Sequence, residues 1–176
     1  MAADRGVQAL LLDPLEGNGE RARLQMVGDL RDRLAAGPDP ALTPVEQEGL
    51  DATISRHQRS RDATRAGLRA AGLAPWVTDD AGAAAIATLV ACPAGLVPGE
   101  LLAAALSAVP EAPLELAPGA LGQQALRVAH TGENARLAPV LAALTALAFG
   151  LESQGIETDA GAALTAALSG WQALPA

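Results

Sequence analysis

Apolar positions along the chain change their period several times, and each change marks an element. Between Gly19 and about Ala36, Leu24, Val27, Leu30 and Leu34 recur at helical spacing with charges between them, which predicts an amphipathic helix. Gly37-Pro38-Asp39-Pro40 ends it, because neither a helix nor a strand interior tolerates that run. Upstream, Gln8 to Leu12 is a candidate short strand. Residues 1–41 therefore read as an N-terminal arm. Thr43, Pro44 and Glu46 then form a capping box with proline at the first helical position. A long helix is expected from there to about Ala71, with Gly72 as its left-handed stop. Val45, Ile54 and Leu68 mark its apolar side so thinly that one face is expected to stay exposed or to meet another chain.

Beyond Gly72 the pattern shortens. Trp76 to Thr78 reads as an extended piece and Ala84 to Ala91 as a buried strand ending at Cys92-Pro93. Pro98 opens a helix carrying Leu101, Leu102, Ala105, Leu106 and Val109, and Pro110 stops it. Leu114 to Ala117 is a short strand, Pro118 to Gly122 a turn, and Gln124 to His130 a second strand. In that strand Leu126, Val128 and His130 alternate against Arg127 and Ala129. Thr131-Gly132 makes a corner into a long helix from about Asn134 to Ser153, with Leu137, Val140, Leu141, Leu144, Leu147 and Leu151 on its apolar face. Ile156 to Thr158 is extended, and Asp159 caps a last helix that Gly170 should stop after Ser169. The expected class is α+β: about four mainly antiparallel strands covered by helices, preceded by a helical arm.

Composition narrows this picture. The 176 residues suit one domain at 42–176 behind the arm, and the initial Met1 reads as the chain's own beginning. All twelve basic residues are arginine, so no ε-amine exists anywhere for a Schiff base. A formal charge of −8 argues against nucleic acid and against an anionic membrane surface. Arg56, Arg59, Arg61, Arg65 and Arg69 read as a solvated helix face rather than a binding strip. Cys92 is alone, which suits a reducing, cytoplasmic location, and reads as a small buried hydrophobe. The N-terminus has no secretory pattern, and neither 81–99 nor 137–149 reads as a membrane span.

The familiar chemical signatures are missing. There is no P-loop, no zinc-spaced set of Cys and His, and no nucleophile elbow around any serine. Neither a catalytic residue nor a metal ligand can be assigned. Arg127 stands apart because it lies inside an apolar strand, where a guanidinium is expensive to bury without an anion. Its planar fork suits a carboxylate; the alternatives are the solvent side of an edge strand or pairing with an internal acid.

The stretch from Leu42 to Trp171 resembles the C-terminal, small domain of the class V, fold-type I pyridoxal-phosphate aminotransferases. That branch contains the alanine–glyoxylate, serine–glyoxylate and pyridoxamine–pyruvate enzymes. The resemblance is carried by Gln47 to Leu73, by Ala91 to Leu106, by the glycine-punctuated loop at Leu114 to Gly122, and above all by RVAHTG at Arg127 to Gly132. Thr131 stands where methionine is usual. The resemblance implies that Arg127 binds the α-carboxylate of an amino or 2-oxo acid, that His130 and Gly132 shape the corner, and that His57 is structural. It also implies that a large domain supplies the phosphate cradle, the aspartate on the pyridine nitrogen and the Schiff-base lysine, with the helix at Gly19 to Leu34 echoing the end of that domain. The expectation is the small subunit of a two-chain aminotransferase, inactive alone, whose large partner subunit holds the pyridoxal phosphate. A partner is also expected on burial grounds, to cover apolar helices. The alternative is a non-catalytic binding or regulatory module derived from such an enzyme.

Overall fold

The computed structural model describes residues 43–173; the arm at 1–41, with its expected strand and helix, lies outside them. The chain divides into two compact units between Gly49 and Leu50. The first contains α1 (Thr43–Glu48), and the second contains every other element. The single long helix expected from Thr43 is therefore two. Gly49 takes a positive φ of 88° while its N–H still reaches the Val45 carbonyl, a left-handed stop that ends α1.

In the second unit, α2 (Leu50–Ala70) ends as its sequence implies. Gly72 has a φ of 76°, and the N–H groups of Gly72 and Leu73 return to the Arg69 and Leu68 carbonyls. Those two bonds satisfy carbonyls that the helix end would otherwise orphan. The sheet has the order β1-β3-β2, from β1 (Ala87–Ala91), β2 (Leu114–Leu116) and β3 (Ala125–Ala129). Both outer strands run antiparallel to β3, so they are parallel to each other. The helix α3 (Pro98–Ala108) joins them across the intervening strand. Three named strands replace the four expected. The fourth is reduced to a bridge between Pro75 and Val90, flanked by bonds from the Trp76 N–H to Leu89 and from the Ala91 N–H to Ala74. Proline has no N–H to extend a ladder, which keeps this segment an edge fragment.

After β3, a short 3-10 turn (Gly132–Ala135) leads into α4 (Leu137–Ser153), and Asp159 caps α5 (Ala160–Gln172) by accepting from the Ala162 N–H. The last helix runs through Gly170 rather than stopping there. A Cβ at Gly170 would lie 3.3 Å from Ala63 Cα, so this glycine serves close packing of α5 on α2. The other main helix pair is α3 with α4. One core joins helices and sheet: Leu68, Leu101, Leu126, Val128, Val140, Leu147 and Leu151 are all fully buried within it. Fully burying side chains of this size contributes about 1.5–3 kcal/mol each.

Small residues set the spacing of that core. A Cβ on Gly67 would sit 2.3 Å from Leu144 Cδ1 and 3.0 Å from the Ala163 carbonyl oxygen, and the backbone oxygen cannot swing away. Gly67→Val should therefore lower the unfolding free energy by about 2 kcal/mol through overpacking, measured by urea denaturation. An unchanged midpoint would show that α2 and α5 do not approach as closely as this.

Candidate functional site

β3 is bonded along both edges, so each of its side chains must face either the helices or the opposite side. Leu126, Val128 and His130 point inward and are buried, while Arg127 and Ala129 point outward and are half-buried. The expected alternation holds. Arg127 is thus on the central strand rather than on an edge. Across the sheet it stands in a row with Leu89 of β1 and Glu115 of β2. Its Nη1 donates to Glu115 Oε1, so the guanidinium meets an internal acid.

Arg127 borders a cavity of about 290 Å³ beside β1. The remaining walls come from Val77, Ala83, Ala84, Ile86, Leu89 and Pro118, with Ala87, Thr88 and Arg65 completing the lining. The walls are therefore mostly aliphatic. Arg65 and Arg127 are the two charged residues in the lining, and Arg65 is already committed. Its Nε donates to Asp80 Oδ1 at 2.5 Å, and its Nη2 donates to the carbonyls of Val77 and Thr78 at 2.8 and 3.3 Å. Arg69 also donates to Asp80, and Arg61 reaches the Ala83 carbonyl. Hydrogen bonds from Arg69 and Arg65 hold the Asp80 carboxyl below the usual carboxylate range.

These contacts correct the reading of the arginines as a solvated face. Arg61, Arg65 and Arg69 recur every four residues, so they share one side of α2. That side faces the 77–86 segment, and Arg65 is only 2% exposed. The stripe and the downstream Asp79-Asp80 pair were visible in the sequence. What was not visible is that the segment folds back onto the helix.

His130 sits behind Arg127, fully buried on the core side. Its Nδ1 lies 3.0 Å from Ser60 Oγ on α2, and its Nε2 lies 2.9 Å from Thr88 Oγ1 on β1. A neutral ring donates through one nitrogen and accepts through the other, and either hydroxyl serves in either role. The imidazole thereby ties three elements together and shapes the interior below the corner. At the corner itself Gly132 has a φ of 56°, and Arg56 Nη1 donates to its carbonyl at 2.7 Å. The Nδ1 of His57 lies 2.7 Å from the Thr53 carbonyl of its own helix. Cys92 is half-buried against the core with its thiol toward the Leu96 carbonyl, and burial pushes that thiol up, away from nucleophilic use.

Chemically, the cavity offers one cationic fork at the edge of an aliphatic pocket, which suits a small carboxylate with an apolar remainder. It does not offer a cofactor cradle. The chain has no lysine for covalent attachment, and the lining supplies no further uncommitted cation for a phosphate.

Sequence and fold comparison define the class: this chain is a small domain corresponding to the C-terminal part of the class V aminotransferases. Over 133 residues, or 76% of the chain, it is 32% identical to the pyridoxamine–pyruvate transaminase of Mesorhizobium japonicum, of which it spans 34%. The crystal structure of pyridoxamine–pyruvate aminotransferase from Mesorhizobium loti matches with a TM-score of 0.67 at 29% identity, over 73% of this chain and 33% of that one. The ureidoglycine–glyoxylate aminotransferase of Bacillus subtilis matches equally well, at 28% identity over 74% of this chain and 33% of that one. The chain thus spans about a third of the length of these relatives. No protein-family model matches it.

His130 gives this domain a pH signature. Burial first, then the positive fields of His57 and Arg127, lowers its pKa from an ordinary 6.5 to about 4. Between those values the unfolded chain holds a proton that the folded chain excludes. Stability is therefore full above pH 6.5 and falls as the pH drops toward 4, by about 3 kcal/mol over that window. Urea midpoints from pH 7 to 4 should show this slope in the wild type and lose it in His130→Gln. Equal slopes in both proteins would remove His130 as its source.

Proposed function

We propose that this chain is the small subunit of a two-chain, pyridoxal-phosphate-dependent aminotransferase. In this reading Arg127 supplies the anchor for the α-carboxylate of an amino or 2-oxo acid, and a large partner subunit holds the cofactor and the lysine that binds it covalently. One observation carries the reading: Arg127 lies on the central strand, facing away from the core, at an aliphatic cavity, in a chain with no lysine. The group that fixes substrate is present while the means of chemistry is absent. The likeness to aminotransferases of which this chain spans about a third supports the same division of labour.

When bound on the partner, the cofactor would supply the electron sink for the exchange of amino and oxo groups. This chain's own contribution is narrower. Arg127 binds and orients the carboxylate, and the Val77, Ile86 and Leu89 side chains exclude water from the substrate's apolar end. Among the described residues no helix is long and apolar enough to cross a membrane, and the lone Cys92 suits a reducing, cytoplasmic setting.

Co-expression with the product of the neighbouring gene, followed by size exclusion, distinguishes the readings. Co-elution with bound, visibly absorbing cofactor is expected, with amino-acid turnover. Arg127→Ala should leave the complex and its colour intact but reduce kcat/KM roughly a hundredfold, the scale for losing a charged, bidentate contact. A chain that elutes alone and colourless in every mixture would leave instead a non-catalytic module derived from an aminotransferase.

A further inference from the structure

We infer that Glu115 is an internal competitor for the Arg127 site and sets both its affinity and its preference for small monocarboxylates. The inference rests on the reading of Arg127 as a carboxylate anchor. Glu115 is the direct cross-strand partner of Arg127, so its side chain emerges on the same face and needs no loop movement to reach the guanidinium. It takes one nitrogen, Nη1, through one carboxylate oxygen. The fork of an arginine carries five N–H donors, and an arriving carboxylate can engage two of its nitrogens at once.

The two partners are unequally held. Arg127 is on the central strand with its side chain 29% exposed, whereas Glu115 is on the outer strand β2 with its side chain 51% exposed. Glu115 can therefore turn into water while Arg127 stays. The exchange keeps the charge balance: one carboxylate leaves as another arrives, and the guanidinium is never stripped of a counter-ion. The cavity offers an incoming anion no other choice. Arg65, its second cation, is bound by Asp80 and two carbonyls.

Selectivity follows from the same geometry. A ligand with one carboxylate and a short aliphatic remainder trades a single bond for a bidentate pair and fills apolar space. A second carboxylate would find no uncommitted cation in the lining and would face the displaced Glu115 nearby. Breaking a partly exposed ion pair opposes binding by an amount that a neutral side chain would restore, roughly fivefold in affinity.

The test titrates pyruvate into the full-length chain at low ionic strength, by calorimetry and by the amide shifts of β1 and β3. Glu115→Gln and Glu115→Ala should each bind about fivefold tighter than wild type, and Arg127→Ala should not bind. Succinate should bind the wild type more weakly than pyruvate and should gain more than pyruvate from Glu115→Gln. Wild-type affinity in both Glu115 variants, with binding still lost in Arg127→Ala, would overturn the role of Glu115 and leave the Arg127 reading standing. Pyruvate binding that survives in Arg127→Ala, or is absent from every form, would overturn both.

Discussion

A strand bonded on both edges has only its two faces on which to place side chains, and β3 uses them for opposite purposes. Inward, Leu126 and Val128 join the core, and His130 receives two buried hydroxyls from different elements. Outward, Arg127 carries a charge that could not be placed inward without a counter-ion. The two faces are not independent. A slip of one residue would put the guanidinium among leucines and the imidazole in water, so the register that forms the core also aims the arginine. The burial of His130 reinforces that register, because its ring bonds Ser60 on α2 and Thr88 on β1 together.

The cavity depends on a second constraint, the buried guanidinium of Arg65. Burying a cation is unfavourable unless its donors are met, and here one carboxylate and two carbonyls meet them. Those acceptors all belong to the 77–80 stretch, so satisfying Arg65 folds that stretch onto α2. Arg69 and Arg61 extend the attachment along the same helix face. Val77, Ala83, Ala84 and Ile86 are thereby held as a wall beside β1. Arg127 acquires an apolar pocket because a different arginine has been neutralised next to it.

Much of this was legible in the sequence where a local rule governs. The alternation in LRVAH puts Arg127 opposite the core, and Gly72, Pro98 and Asp159 mark helix ends through backbone chemistry that acts within a few residues. The failures share another cause. Gly49 and Gly170 carry no side chain, so sequence alone could not tell a left-handed stop from a packing contact: one expected helix runs straight past Gly49, which is a stop, and another ends at Gly170, which is a contact. Arg65 looked solvated because its partners are twelve to fifteen residues away in a segment without periodicity. Glu115 could have been found: the period of two in LEL puts it opposite Leu114 and Leu116. What the pattern could not supply was the strand order that sets it beside Arg127.

Among the described residues, Leu101, Val140, Leu144, Leu147 and Leu151 are buried against one another and against the sheet. Apolar side chains stay exposed in more than one place among the described residues: Val77 and Ile86 are 43% and 57% exposed beside the cavity, and Ile54 on α2 and Phe149 on α4 are 46% and 52% exposed. On the proposed reading, a partner that covered Val77 and Ile86 would also close over a carboxylate at Arg127. Under that proposal, binding the partner and completing the site would be the same event, and the arginine would be shielded from water only when there is chemistry beside it to serve.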